Sequence, residues 1–322
     1  MNLIDMHCDT ISELLVQNLP DQDLKRNRLK VDLEKMKKAG STAQFFACFV
    51  CMEEFLGKSR YEQAYEYVRR MSSYLKKQVW MYPEDLAFAG DGKKLEENQR
   101  EGKISAFLTL EEGGVINGDL SRIQGLYDMG IRLITLTWNY ENCIGYPNSS
   151  DGSTMKKGLK QFGILVVEEM NRKGMIIDVS HLSEGGFWDV IKYSKTSPVA
   201  SHSNARELCN HPRNLSDDQI RALADKGGIA GLNFYQKFLG KSDSCRIEEM
   251  VAHARHMFQK GGEDFVAIGT DFDGFGGARE MEIENIGQMS RLYEALKKSG
   301  FTEREVDKIW YGNAKRVIDA VL

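Results

Sequence analysis

The chain has 322 residues, 42% of them hydrophobic and 28% charged, a globular composition with enough length for one large core. Its 43 basic and 47 acidic side chains leave no basic excess for nucleic acid or an anionic membrane surface. No apolar run nears the roughly 18 residues of a membrane span, and no basic-then-apolar signal peptide opens the chain, so a cytoplasmic location is expected.

Residues 2–6 form a short apolar run that ends in Asp5-Met6-His7-Cys8-Asp9. Residues i and i+2 of an extended chain share a face, so His7 and Asp9 would project together as half of a metal site. Taken singly, the pair reads as a capped strand end, with Asp9 or Thr10 opening a helix. Helical pattern follows at residues 10–17 and 32–39. A second run, 42–50, leads into Cys51 and so completes Cys48-Phe49-Val50-Cys51. No second such pair follows among the six cysteines, so these are read as small core residues.

Further on, runs and helical patterns alternate. Helices are expected at 59–77 and 83–101, then a run at 104–110, a helix at 119–129 and a run at 131–137. A loop of Asn, Gly and Ser leads to a helix at 157–173, a run at 175–179 and a helix at 184–193. The run 198–201 is followed by a loop and a helix beginning at Ser216, with Asp217 and Asp218 in its first turn. Runs at 228–234 and 264–269 flank a helix at 247–260, and helices at 283–298, 303–309 and 313–320 close the chain.

Eight strand-type runs alternating with helices predict an α/β fold: a (β/α)8 TIM-type barrel with extra C-terminal helices. A doubly wound open sheet is the runner-up. No Gly-x-Gly-x-x-Gly or Walker pattern follows any run, which argues against a nucleotide-phosphate site.

The polar residues fall where a barrel does its chemistry, at the C-terminal strand ends. The runs end in His7 and Asp9, Glu111-Glu112, Trp138-Asn139, Asp178-Val179-Ser180-His181, Ser201-His202-Ser203, Asn233-Phe234-Tyr235 and Asp271-Phe272-Asp273. Each has a structural reading: a capped strand for His181, a helix start for the glutamates, an Asx turn for Asp271 and Asp273. Together, three histidines and several carboxylates at one mouth suit a two-metal hydrolase. His253 and His256 lie on an expected helix away from the mouth and read as surface residues, and His211 reads as a loop residue. Adjacent strand residues face opposite ways, so only one of Glu111 and Glu112 should point inward. The residues alone leave that choice open, as they do the choice between Arg213 and Arg206.

Six colinear segments carry a resemblance, running from residue 2 to about 320, to the membrane (renal-type) dipeptidase family in a soluble bacterial form. They are Ile4-Asp5-Met6-His7-Cys8-Asp9, Glu112-Gly113-Gly114, Asp178-Val179-Ser180-His181, Ser201-His202-Ser203, Pro212-Arg213-Asn214 and Gly269-Thr270-Asp271-Phe272-Asp273-Gly274. The resemblance implies a single metallo-dependent hydrolase barrel over residues 1–322 that binds two Zn2+ ions and cleaves dipeptides, L-Xaa-D-Xaa among them, by attack of a metal-bridging hydroxide. It implies His7 and Asp9 on one zinc, Glu112 as the bridge, and His181 and His202 on the other. Asp271 would shuttle the proton, and Arg213 would grip the substrate carboxylate, for which a guanidinium fork is suited. Asp5, Asp178 and Ser201 are expected to orient the histidines. Relatives form homodimers, so a homodimer is implied.

One position departs from the family. Animal members carry a histidine, thought to touch the scissile carbonyl, where this chain has Trp138. Asn139 could supply a donor instead, and Tyr235 is expected to line the pocket. Two other functions fit the sequence less well. A barrel amidohydrolase acting on a lactone, cyclic amide or phosphoester usually opens with His-x-His and often bridges its metals with a lysine, absent here from the strand ends. A non-catalytic relic barrel should have lost ligands.

Overall fold

The computed structural model describes residues 2–322 and shows a closed barrel of eight parallel strands with helices around it. The barrel strands are β1 (Leu3–Cys8), β2 (Ser41–Phe49), β3 (Ile104–Glu111), β4 (Ile131–Thr135), β5 (Ile176–Asp178), β6 (Val199–Ala200), β7 (Ile229–Leu232) and β8 (Val266–Ile268). Each pairs with the next, and β8 closes on β1 through Asp5 opposite Ile268. All eight expected runs are therefore barrel strands.

Strand alternation sets two cores. Inside the barrel lie Ile4, Met6, Phe45, Phe107, Leu133 and Ile176, with the Phe45 and Phe107 rings stacked at 4.6 Å. The C-terminal helix Asn313–Val321 plugs this end with Ala314, Val317, Ile318 and Val321, so the barrel is a packed core and not a pore. Outward-facing residues such as Leu3, Leu108 and Leu110 join the helices in a second, larger core. Only the opposite end is left for polar chemistry.

Side-chain caps mark several helix starts. Ser216 accepts from the Gln219 amide and closes a capping box over the helix Asp217–Asp225. The expected continuous helix at 83–101 is interrupted. Leu86–Phe88 pairs alongside β3, and Asp91 then caps a separate helix, Gly92–Arg100. Strand pairing wins at Leu86 because a neighbour is available at Ile104. A two-stranded ribbon, Ser244–Cys245 with Glu280–Met281, was not expected. The expected helix at 283–298 is a turn at Ile286–Gln288 followed by the helix Ser290–Lys298.

His253 departs from its surface reading. It is buried, its Nδ1 accepts the Ala205 N–H at 3.2 Å, and its Nε2 lies 2.8 Å from the Leu239 carbonyl. It ties the helix Ile247–Gly261 to the loop at Ala205 and to the end of the short helix Gln236–Leu239. His256 is partly buried and pairs with Asp217 at 2.6 Å. Cys48 is buried in the core as expected, Cys51 is only partly buried, and all six cysteines are free.

Candidate active site

The strand ends open into a cleft of about 520 Å3 lined by Asp9, Glu111, Trp138, Asn139, His181, Arg213, Tyr235 and Asp271, among others. His7 and His202 sit beneath it, essentially inaccessible. A larger, shallower depression of about 970 Å3 lies among the closing helices, but its Arg304 and Lys308 are already paired with Glu263.

The centre of the cleft is Glu111. Its Oε2 lies 3.3 Å from His7 Nε2, and its Oε1 lies 3.0 Å from His181 Nε2 and 3.6 Å from His202 Nε2. The two histidine nitrogens on the Oε1 side are 3.1 Å apart, and on the other side His7 Nε2 is 3.3 Å from Asp9 Oδ2. Asp271 Oδ1 is 3.9 Å from His7 Nε2. One carboxylate thus faces two groups of ligand atoms, one oxygen to each.

Glu112, the bridge implied by the resemblance, is not in this cluster. Its backbone turns to φ 96°, and its side chain folds away from the histidines. There it accepts from the Gly114 N–H at 2.6 Å, Asn142 Nδ2 at 2.6 Å and the Trp138 N–H at 2.9 Å. The physical reason is strand parity. Phe107, Thr109 and Glu111 share the inner face of β3, and Leu108 and Leu110 share the outer one. That alternation was present in the sequence and would have chosen Glu111.

Backbone strain concentrates at the same mouth. Glu112, His181, Asp271 and Asp273 all adopt positive φ, at 96°, 67°, 60° and 69°, which non-glycine residues rarely do. Hydrogen bonds hold these turns. Asp178 accepts from Thr135 Oγ1, the Ser180 N–H and both the N–H and Oγ of Ser201, and Ser201 Oγ lies 2.7 Å from His202 Nδ1. Asn139 Oδ1 lies 2.9 Å from His181 Nδ1. His181 and His202 are thereby oriented with Nε2 towards Glu111. Asp5 works through the backbone instead. It accepts the His7 and Thr270 amides and the Thr270 hydroxyl across the β1–β8 seam.

Electrostatics follow from burial. Burial lowers His181 to about 4, with Arg213 adding to the effect, and holds His202 well below the usual range, so both are neutral, the form that binds metal. Burial also works against a charged His7, but Glu111 and Asp9 outweigh it and hold the imidazole well above its ordinary value. Burial opposes ionisation of Glu111 as well, yet His7 and His181 keep it well below the carboxylate range. Burial raises Asp9 to about 7 and Asp271 to about 6.

The donor set fits divalent metal. His7 Nδ1 and Nε2 and Asp9 Oδ1 are buried and make no hydrogen bond despite their close neighbours. Buried polar atoms normally find partners. Ligands about 2.0–2.1 Å from a tetrahedral zinc lie roughly 3.3 Å apart, which matches the 3.0–3.6 Å separations around Glu111. The ligand atoms of His7, Glu111 and His202 lie within 4.8 Å of one another, as do those of His7, Asp9 and Asp271.

The remaining residues divide by position. Arg213 is buried at the cleft wall, bonded to Ser203 Oγ and the His202 carbonyl at 3.1 Å each, with its Nε unpartnered. Arg206 is spent on Glu184 and loop carbonyls, and of the two arginines it is Arg213 that lines the cleft. Trp138 packs edge-on against Phe49 and Tyr140, and Tyr235 packs against Phe238 and Phe275. His211 lines the cleft and accepts the Arg213 N–H at 3.1 Å. Asn233, noted only as a strand end, donates to Asp271 Oδ2 at 2.8 Å and to the His202 carbonyl at 3.2 Å.

The barrel and its ligand cluster define a metal-dependent hydrolase. The chain matches the membrane dipeptidase family (peptidase family M19) over residues 1–322 and belongs to that family. It is accordingly a metal-dependent dipeptidase. It is 37% identical over 236 residues to an uncharacterized protein in the pqqA 5' region of Klebsiella pneumoniae, covering 70% of this chain and 85% of that one. It is 31% identical over 297 residues to an uncharacterized dipeptidase of Schizosaccharomyces pombe, covering 89% and 71%. A crystal structure of a family M19 dipeptidase superposes with a TM-score of 0.89 at 26% identity, over 100% of this chain and 98% of that one. A Rhodobacter sphaeroides metallopeptidase carrying a phosphinate mimic of L-Ala-D-Ala superposes at 0.90 and 24% identity, over 100% and 99%, a likeness of fold. No helix among the described residues is long and apolar enough to cross a membrane.

Proposed function

We propose that the chain is a dinuclear zinc dipeptidase in which Glu111, rather than Glu112, joins the two metal positions, with His7 and Asp9 on one side and His181 and His202 on the other. The observation that carries this reading is the split of the Glu111 oxygens, 3.3 Å to His7 and 3.0 Å to His181. Imidazole and carboxylate donors suit zinc. When bound, such ions polarise a scissile carbonyl and bring a water molecule's pKa towards neutrality.

The chain's own groups supply the rest. Asn233 occupies Asp271 Oδ2, which leaves Oδ1 beside His7 to take a proton from the attacking water and pass it to the leaving amine. Arg213 offers the substrate's terminal carboxylate a cation already held by Ser203 and the His202 carbonyl. A carboxylate seated there brings the adjoining side chain towards Tyr235 and Phe238, while Trp138 and Phe49 form another wall. A cleft of about 520 Å3 suits a dipeptide and is small for longer peptides. Asn139 both lines the cleft and orients His181. The Rhodobacter structure's L-Ala-D-Ala mimic makes L-Xaa-D-Xaa dipeptides the substrates to try first. A homodimer and a cytoplasmic location complete the proposal.

The test is a panel of dipeptides with L or D residues at the second position, run with and without a chelator. Chelator-sensitive cleavage of free-carboxylate dipeptides is expected. Faster cleavage of a lactone or an ester than of any dipeptide would overturn the reading.

A further inference from the structure

Glu112 is left over by this chemistry, yet it is buried, strained and fully bonded. All three of its donors come from the two segments that follow β3 and β4. Asn142 carries the contact further. Its Nδ2 also reaches the Leu136 carbonyl at 2.9 Å, and its Oδ1 accepts the Ile144 and Gly145 amides at 2.8 and 3.1 Å. The glycines after Glu112 make room for it. A Cβ at Gly114 would stand 2.2 Å from Glu112 Oε1, and one at Gly113 would stand 2.9 Å from the Leu136 carbonyl. The loop so held wraps His181. Its Asn139 meets His181 Nδ1 at 2.9 Å, its Thr137 hydroxyl donates to the His181 carbonyl at 3.2 Å, and the Asn148 backbone N–H and side-chain Nδ2 donate there at 2.6 and 3.0 Å.

We propose that Glu112 is a positioning residue, a buried anchor that fixes the segment from Trp138 to Asn142 and, through Asn139, the aim of His181 Nε2 at the metal position beside Glu111. The proposal rests on the dinuclear reading above. A carboxylate is required because both of its oxygens accept. A glutamine would turn an amide donor towards either the Trp138 N–H or the Gly114 and Asn142 donors. An anchor of this kind holds a ligand's supporting partner in place, and loss of such support costs about 10- to 100-fold in metal affinity.

The experiment is a double-mutant cycle on zinc retention, read by competition with a chromogenic chelator, with the melting temperature of each metal-free protein as a control. Wild type, Glu112→Gln, Asn139→Ala and the double variant are compared. Each single variant is expected to weaken retention of one ion by about tenfold, and the double variant by little more than the larger single. Multiplying effects would overturn the proposal, as would a Glu112→Gln protein that is less stable but retains zinc like wild type. If Glu112→Gln yields no folded protein, Asn142→Ala removes one donor and leaves the carboxylate in place. A several-fold loss of retention then supports the anchor, and unchanged retention overturns it. A wild-type chain that takes up no zinc at all overturns this inference and the dinuclear reading together, whereas unchanged retention in the variants removes the anchor alone.

Discussion

Asp178 at the end of β5 holds Ser201 at the end of β6 through a 2.6 Å bond to its hydroxyl and a 2.9 Å bond from its amide. Ser201 in turn lies 2.7 Å from His202 Nδ1, so one buried carboxylate sets the imidazole on the next strand. Asp178→Asn would place an amide donor among four donors. The expected result is a metal-free protein destabilised by about 1–3 kcal/mol and zinc affinity reduced about 10- to 100-fold. Denaturant unfolding and chelator competition measure the two effects, and unchanged zinc affinity would remove Asp178 from the support of His202.

In the proposed function Arg213 grips the substrate's carboxylate and does not bind the metals. Arg213→Ala should lower kcat/KM on free dipeptides by about 10- to 100-fold, the worth of a charged hydrogen bond. The corresponding dipeptide amides, which lack the carboxylate, should be cleaved at nearly the wild-type rate. Equal losses on acids and amides would show that Arg213 acts on the fold of the cleft.

Asp271→Asn removes the proton acceptor but keeps the shape and a hydrogen-bonding side chain beside Asn233. Zinc content should stay near that of wild type, KM should change little, and kcat should fall by about 10²- to 10⁴-fold. A variant that turns over at the wild-type rate would assign the proton to another group.

His253 gives a pH dependence of stability that lies away from the cleft. Burial lowers its pKa from 6.5 to about 4 in the folded chain. The unfolded chain therefore takes up a proton first as pH falls. The contribution of His253 is complete above pH 6.5, declines by up to about 1.4 kcal/mol per pH unit below it, and levels off near pH 4. In metal-free protein, the stability difference between wild type and His253→Gln should shrink across that window. A constant difference would contradict the buried neutral state.

The eight barrel strands were legible because each is a short β-rich run closed by polar residues, and helices alternate with them. The mouth was legible for the same reason, since His7, His181, His202 and Asp271 all sit at run ends. Glu111 was obscured by its neighbour. Motif likeness pointed to Glu112, whereas the inward alternation Phe107, Thr109, Glu111 puts Glu111 beside the histidines. His253 was misplaced because its partners, Ala205 and Leu239, lie outside its own helix, 48 and 14 positions away. The strand Leu86–Phe88 forms only because β3 offers it an edge. The support from Asn139 to His181 spans 42 positions and has no local signature.

The measurement that bears most directly on the central claim is zinc per chain, by elemental analysis after dialysis against metal-free buffer, for wild type and Glu111→Ala. Two zinc ions per wild-type chain are predicted, falling to one or none in Glu111→Ala together with loss of dipeptide hydrolysis. A Glu111→Ala chain that keeps two ions and hydrolyses dipeptides would contradict the assignment of Glu111 as the shared ligand.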